Sequence, residues 1–112
     1  MSDVINNIYL NIAKGIVDVI DSNWSVAIIK FDYMGGAGEF DCTYKDSELS
    51  EVENDFDVDY SMYKLFKELH QVMNEREAHT WNRARFTLYP TGKFSIDFEW
   101  DQALADEVEA NS

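Results

Sequence analysis

The stretch "RARFTLYPTGKFSIDFEW", Arg83 to Trp100, decides the fold. Apolar and polar residues alternate in both of its halves, which is the period of a half-buried strand. Ala84, Phe86 and Leu88 share one side of the first half. Phe94, Ile96, Phe98 and Trp100 share one side of the second. Between them "PTG", Pro90 to Gly92, combines a fixed φ with a freely adopted one, as a reversal requires. The segment reads as an antiparallel hairpin with one apolar face. On its polar face Arg83 and Arg85 stand as cross-strand partners for Asp97 and Glu99.

A sheet with one apolar face needs more strands and a cover. "WSVAIIKFDY", Trp24 to Tyr33, is rich in β-branched and aromatic residues; Val26, Ile28 and Phe31 or Lys30 mark the two faces of a strand, and Ile29 leaves the phase ambiguous. "MGGAG", Met34 to Gly38, is a turn. "EFDCTY", Glu39 to Tyr44, places Phe40, Cys42 and Tyr44 on one side, which completes a second hairpin. The cover comes from two amphipathic helices. Asp3 to Ile20 carries Val4, Ile5, Ile8, Ile12, Ile16, Val19 and Ile20 at helical steps, with Ser2 or Asp3 as cap. Tyr60 to Glu77 carries Met62, Leu65, Phe66, Leu69, Val72 and Met73, with Asp59 or Ser61 as cap. The order is α-β-β-α-β-β. The expected class is α+β, two layers, with an antiparallel sheet of about four strands and two helices on one face. "AHTWN", Ala78 to Asn82, reads as a linker, and residues 101–112 as an acidic tail with a short helix over Ala103 to Val108 that frays.

A length of 112 residues predicts a single domain, 1–112, and a 46% hydrophobic, 14% aromatic composition is too apolar for a disordered chain. The net charge is -13, from 22 acids against 9 lysines and arginines. Such a surface repels nucleic acid and anionic membrane and attracts basic proteins. Cys42 is the single cysteine, so no internal disulfide forms. The start, "MSDVINNIYL", lacks a basic leader and a long apolar run, so a cytoplasmic protein is expected.

The acids are not scattered. In "ELSEVENDFDVDY", Glu48 to Tyr60, the acids Glu51, Glu53, Asp55, Asp57 and Asp59 alternate with Val52, Asn54, Phe56 and Val58. A period of two means an extended backbone. Val52, Phe56 and Val58 are then expected on the body of the domain, with the carboxylates in an outward row about 6.7 Å apart. Neighbours at that spacing repel by roughly 0.6 kcal/mol in water before screening. A solvated acidic loop would have no need of apolar residues at fixed phase.

Motifs for chemistry are wanting. His70 and His79 have no zinc-ligand spacing, and Cys42 is remote from both. No nucleophile-elbow, Cys-His or phosphate-loop pattern occurs. "DFDVDY", Asp55 to Tyr60, begins like a calcium loop, but Tyr60 stands where glycine is needed and Phe66 where the bidentate glutamate is needed. Trp24, Trp81 and Trp100 are expected to close the rim of the core. No catalytic residue, metal or cofactor is predicted.

Several pieces of the chain resemble the YezG-like immunity proteins, antitoxins of bacterial polymorphic and contact-dependent inhibition toxin systems. They are "IYLNIAKGI" (8–16) and Trp24, "GAGEF" (36–40), "YKLFKELHQVM" (63–73), and above all "WNRARFTLYPTGKFSIDFEWD" (81–101). The acidic tail departs from the family, whose members often continue into an aromatic and basic segment. The resemblance implies a non-enzymatic bacterial protein that binds and blocks a cognate toxin domain, usually a nuclease; it carries over no interface residue. The acidic row supplies candidates of its own: Glu48, Glu51, Glu53, Asp55, Asp57 and Asp59 as electrostatic contacts, with Phe56 or Tyr60 as an anchor. The expected partner is a basic toxin nuclease domain, with no nucleic acid or membrane, and a monomer or weak dimer when free. Two alternatives stand beside it: an acidic adaptor or nucleic-acid mimic, and a small metal-dependent hydrolase.

Overall fold

A computed structural model of the chain describes residues 2–21, 23–35, 37–47, 49–76 and 80–111. Among the described residues three helices and five strands follow one another as α1 (Ser2–Val19), β1 (Val26–Tyr33), β2 (Gly38–Lys45), β3 (Asn54–Asp55), α2 (Tyr60–Arg76), β4 (Arg83–Leu88), β5 (Phe94–Glu99) and α3 (Gln102–Ala110). The strands form one antiparallel sheet in the order β3-β2-β1-β4-β5. The α+β class and the two hairpins are as the alternation predicted; β3 and the full length of α3 are additions.

The register explains the layers. Ile29 lies opposite Cys42 on one side and Phe86 on the other, and Phe86 lies opposite Ile96. Opposed residues share a face, so Cys42, Ile29, Phe86 and Ile96 make one inward row. Phe40, Phe31, Ala84 and Phe98 make the next. The two long helices cover these rows. Ile8, Ile12 and Ile16 of α1 and Met62, Phe66, Leu69 and Met73 of α2 are buried with them in one core. Tyr9 of α1 meets Phe86 and Phe94, while Phe66 of α2 stacks on Phe31 and meets Phe40 edge-on. The opposite sheet face carries the charges, with Asp41, Lys30, Arg85 and Asp97 in one row across four strands.

Close packing fixes two glycines. A Cβ at Gly38 would run into the Phe31 ring; β2 begins at this glycine, paired with Tyr33, one residue before the expected Glu39. At Gly15 a Cβ would stand 2.7 Å from the Met62 Cε. This glycine, inside α1, is the place where α1 and α2 approach each other.

Five local expectations need correction. In β1 Ala27, Ile29 and Phe31 are the buried residues, so Ile29 sets the inward phase and Val26 and Ile28 face the other side of the sheet. Trp81 is wholly buried, touching Phe31, His70 and Phe98, and so belongs to the centre of the core rather than its rim. Trp100 falls after the end of β5, is exposed, and donates its Nε1–H to Gln102 Oε1 at 3.0 Å. Val19, counted on the buried stripe of α1, is exposed. Arg83 does lie opposite Glu99, and Arg85 opposite Asp97, but Arg83 turns elsewhere: it binds Asp32 at 2.8 Å and Asp101 at 3.0 Å.

That last contact explains why the acidic tail holds a nine-residue helix. Asp101 is the N-cap of α3, with Oδ1 accepting from the Leu104 N–H at 3.2 Å and Oδ2 accepting from Arg83. Asn82, 4% exposed, clamps the same residue from below. Its Nδ2 donates to the Asp101 carbonyl at 2.8 Å, and its Oδ1 accepts from the Asp101 N–H at 2.7 Å. A helix this short is marginal alone; tertiary ties and the buried Leu104 hold it.

Candidate functional site

The acidic stretch runs along the free side of β2 and on to the start of α2. Its path is set by backbone bonds. Thr43 and Tyr44 of β2 lie opposite Asp55 and Asn54, and the Phe56 N–H donates to the Cys42 carbonyl at 3.1 Å. From Glu53 to Asp59 exposure alternates residue by residue: Asn54, Phe56 and Val58 are half-buried, and Glu53, Asp55, Asp57 and Asp59 are exposed. Phe56 and Val58 pack on the core, with Phe56 tilted against Tyr44 at 6.3 Å. The expected division of faces therefore holds over this half. It fails at Val52, which is 66% exposed. There the chain has not yet reached β2, and it is organised by small turns: the Leu49 N–H donates to Ser47 Oγ and the Val52 N–H to Ser50 Oγ, each at 3.1 Å. Glu48 lies outside the described residues.

The carboxylates do not share one face. Asp55, opposite Thr43, sits on the open side of the sheet. Asp57 and Asp59, past the end of the strand, line a groove beside the helices, so the row wraps around the sheet edge. The groove holds about 450 Å³, with Gly15, Val58, Met62 and Leu65 among its lining and Asp18, Asp57, Asp59 and Lys14 supplying charge. Asp59 also has a structural task. Its Oδ1 accepts from the Ser61 N–H at 3.0 Å and the Met62 N–H at 3.4 Å, which caps α2 and suits the positive end of the helix dipole. Glu51, Glu53, Asp55 and Asp57 form no ion pair with any described residue. Tyr60 is 70% exposed, stacks on Tyr63 and lies under Lys64; of the two candidate anchors it is the accessible one.

Chemistry of other kinds finds little purchase. Burial pushes the Cys42 thiol up to about 12, with Asp41 and Asp57 adding to the shift, so it stays protonated. Burial also lowers His70, against an opposing hydrogen bond to the Trp81 backbone; its ring lies flat on Tyr33 at 3.8 Å. Among the described residues no three His, Cys, Asp or Glu side chains are grouped to hold a metal, and no helix is long and apolar enough to cross a membrane. His79 is outside the described residues.

A family model described as immunity protein YezG-like matches residues 5–112, from the first turn of α1 through α3. The chain belongs to the YezG-like immunity protein family. The immunity protein YezG of Bacillus spizizenii is 25% identical to it over 116 residues, an alignment covering 91% of this chain and 72% of that protein. The match spans the whole wrapped row, the groove and α3. The helix side of this immunity protein's groove, Asn11, Lys14 and Asp18, is not among the residues expected from the sequence. Nothing in the spacing of α1 singles them out, since Val19, which lines the same groove, is expected there on the buried stripe.

Proposed function

We propose that this immunity protein neutralises a cognate toxin nuclease by binding it and masking its basic substrate site. It acts by association rather than catalysis. The observation that supports this most is the exposed run Glu51, Glu53, Asp55 and Asp57, unpaired among the described residues, whose second half is held in place by Phe56, Val58 and the β2–β3 pairing. Keeping like charges together on a folded edge costs stability, and a cationic partner turns that cost into attraction. A nuclease groove is cationic because it must hold phosphate. Glu48, Glu51, Glu53, Asp55, Asp57 and Asp59 supply the field, and Tyr60 the aromatic contact. An interface of this kind buries about 1,200–2,000 Å² in total.

The test is direct. A cognate toxin nuclease domain is purified and its activity titrated with the immunity protein. Stoichiometric loss of activity with formation of a stable complex is the expected result. Full activity at excess immunity protein rejects the proposal.

A further inference from the structure

The sheet ends on one side at β5. Among the described residues no strand pairs with its outer edge. β5 is six residues long, without proline. Its backbone phase follows from the turn: the Tyr89 N–H donates to the Lys93 carbonyl at 2.9 Å. Antiparallel bonding alternates, so Lys93, Ser95, Asp97 and Glu99 point their backbone groups at β4, while those of Phe94, Ile96 and Phe98 point outward. The same three side chains are only half-buried, although they belong to the inward rows.

This edge is complementary to itself. Consider two copies joined by a two-fold axis at Ile96. Ile96 then faces the second Ile96 and Phe94 faces the second Phe98, in pairs whose backbone bonds are the outward ones. On the other face Lys93 meets Glu99 and Ser95 meets Asp97, each twice. Neither Lys93 nor Glu99 forms an ion pair with a described residue. A shift centred on Asp97 opposes Asp97 to itself. A shift centred on Ser95 keeps only three residues of β5 opposed. The Ile96 register alone keeps five residues paired and matches the charges.

The geometry points to a homodimer formed through β5, with the two sheets continuing into one across antiparallel Phe94–Phe98 segments. This is separate from the toxin-binding proposal and uses the opposite edge of the sheet. An edge strand to which no described strand pairs is a template for pairing. The net charge of -13 on each copy opposes the contact, so the dimer is weak and concentration-dependent.

Sedimentation equilibrium of the full chain, from micromolar to millimolar concentration, tests this with four proteins: the wild type, Lys93→Glu, Glu99→Lys and the double swap. Both positions are exposed, and circular dichroism checks that folding is retained. The wild type is expected to dimerise reversibly. Each single change weakens dimerisation about tenfold, because two attractive pairs become repulsive, and the double swap restores it. Glu99→Lys is the decisive variant. It lowers the net charge, so any non-specific contact would tighten, and in the Ser95-centred register it would do nothing. A monomeric wild type, a Glu99→Lys protein that associates as well as or better than the wild type, or a double swap that fails to recover, each overturns the proposal.

Discussion

Asn82 shows how one side chain can carry an element. It is buried, and both of its polar ends are taken by the Asp101 backbone. Asn82→Ala leaves the Asp101 N–H and carbonyl without those partners and should lower stability by about 1–3 kcal/mol. Urea denaturation measures the loss, and hydrogen exchange should show it concentrated in α3. His70 is the second residue whose surroundings fix a measurable outcome. Burial favours its neutral form and lowers its pKa below the ordinary 6.5. The unfolded chain then binds the proton more readily, so the contribution of His70 is fully present above pH 6.5 and is lost as pH falls through the lowered value. Stability should therefore decline on the acid side of 6.5. His70→Phe keeps an aromatic ring against Tyr33 and should flatten that part of the curve; an unchanged slope would place the titration elsewhere.

The elements whose residues repeat with a clear period were legible in the sequence. The two hairpins and both long helices follow from alternation and from helical spacing, because burial itself imposes those periods. Two elements were not fully legible. β3 is two residues long, too short to leave a period, and it exists because the neighbouring β2 offers backbone partners. α3 depends on Asn82 and Arg83, about twenty residues earlier in the chain, and helical spacing within 101–112 contains no trace of them. The extended backbone of the acidic stretch from Glu53 onward is legible in its period of two, and its wrapping around the sheet edge is not, because a strand period says nothing of where the strand ends. The role of Phe56 belongs to this scale. Phe56→Ala removes the tilted contact with Tyr44 and part of the core packing. For a half-buried ring the loss should be about 2 kcal/mol, below the cost of emptying a fully buried site. It should also free the ribbon, which is measurable as faster exchange of the amide at position 56, the donor to Cys42. If that amide stays protected, the backbone pairing alone holds the stretch.

Across the whole molecule, charge is divided by structure. The helices and sheet bury the apolar residues, and Glu51, Glu53, Asp55, Asp57 and Asp59 lie exposed along and beyond the β3 edge, with Lys14 of α1 on the same groove as the last two. Arg83, among the few basic residues, is already engaged by Asp32 and Asp101. A molecule of net charge -13 should associate with a cationic partner at a rate that falls as salt rises, since added ions screen beyond about 8 Å at physiological strength. The useful variant is Glu53→Lys, Asp55→Lys and Asp57→Lys together. Asp59 is left alone, because its carboxylate caps α2 and its reversal would mix a folding defect into the result. The triple change moves the net charge from -13 to -7, as three acids become three bases. Stopped-flow binding to the toxin domain should show association slowed by about tenfold or more at low salt, with a shallower salt dependence and a smaller change in dissociation. The position of the effect separates two cases. If association slows and dissociation holds, these acids steer the encounter from outside the final contact. If dissociation speeds up as strongly, the carboxylates are desolvated in the interface, and the wrapped edge is the surface that the toxin covers.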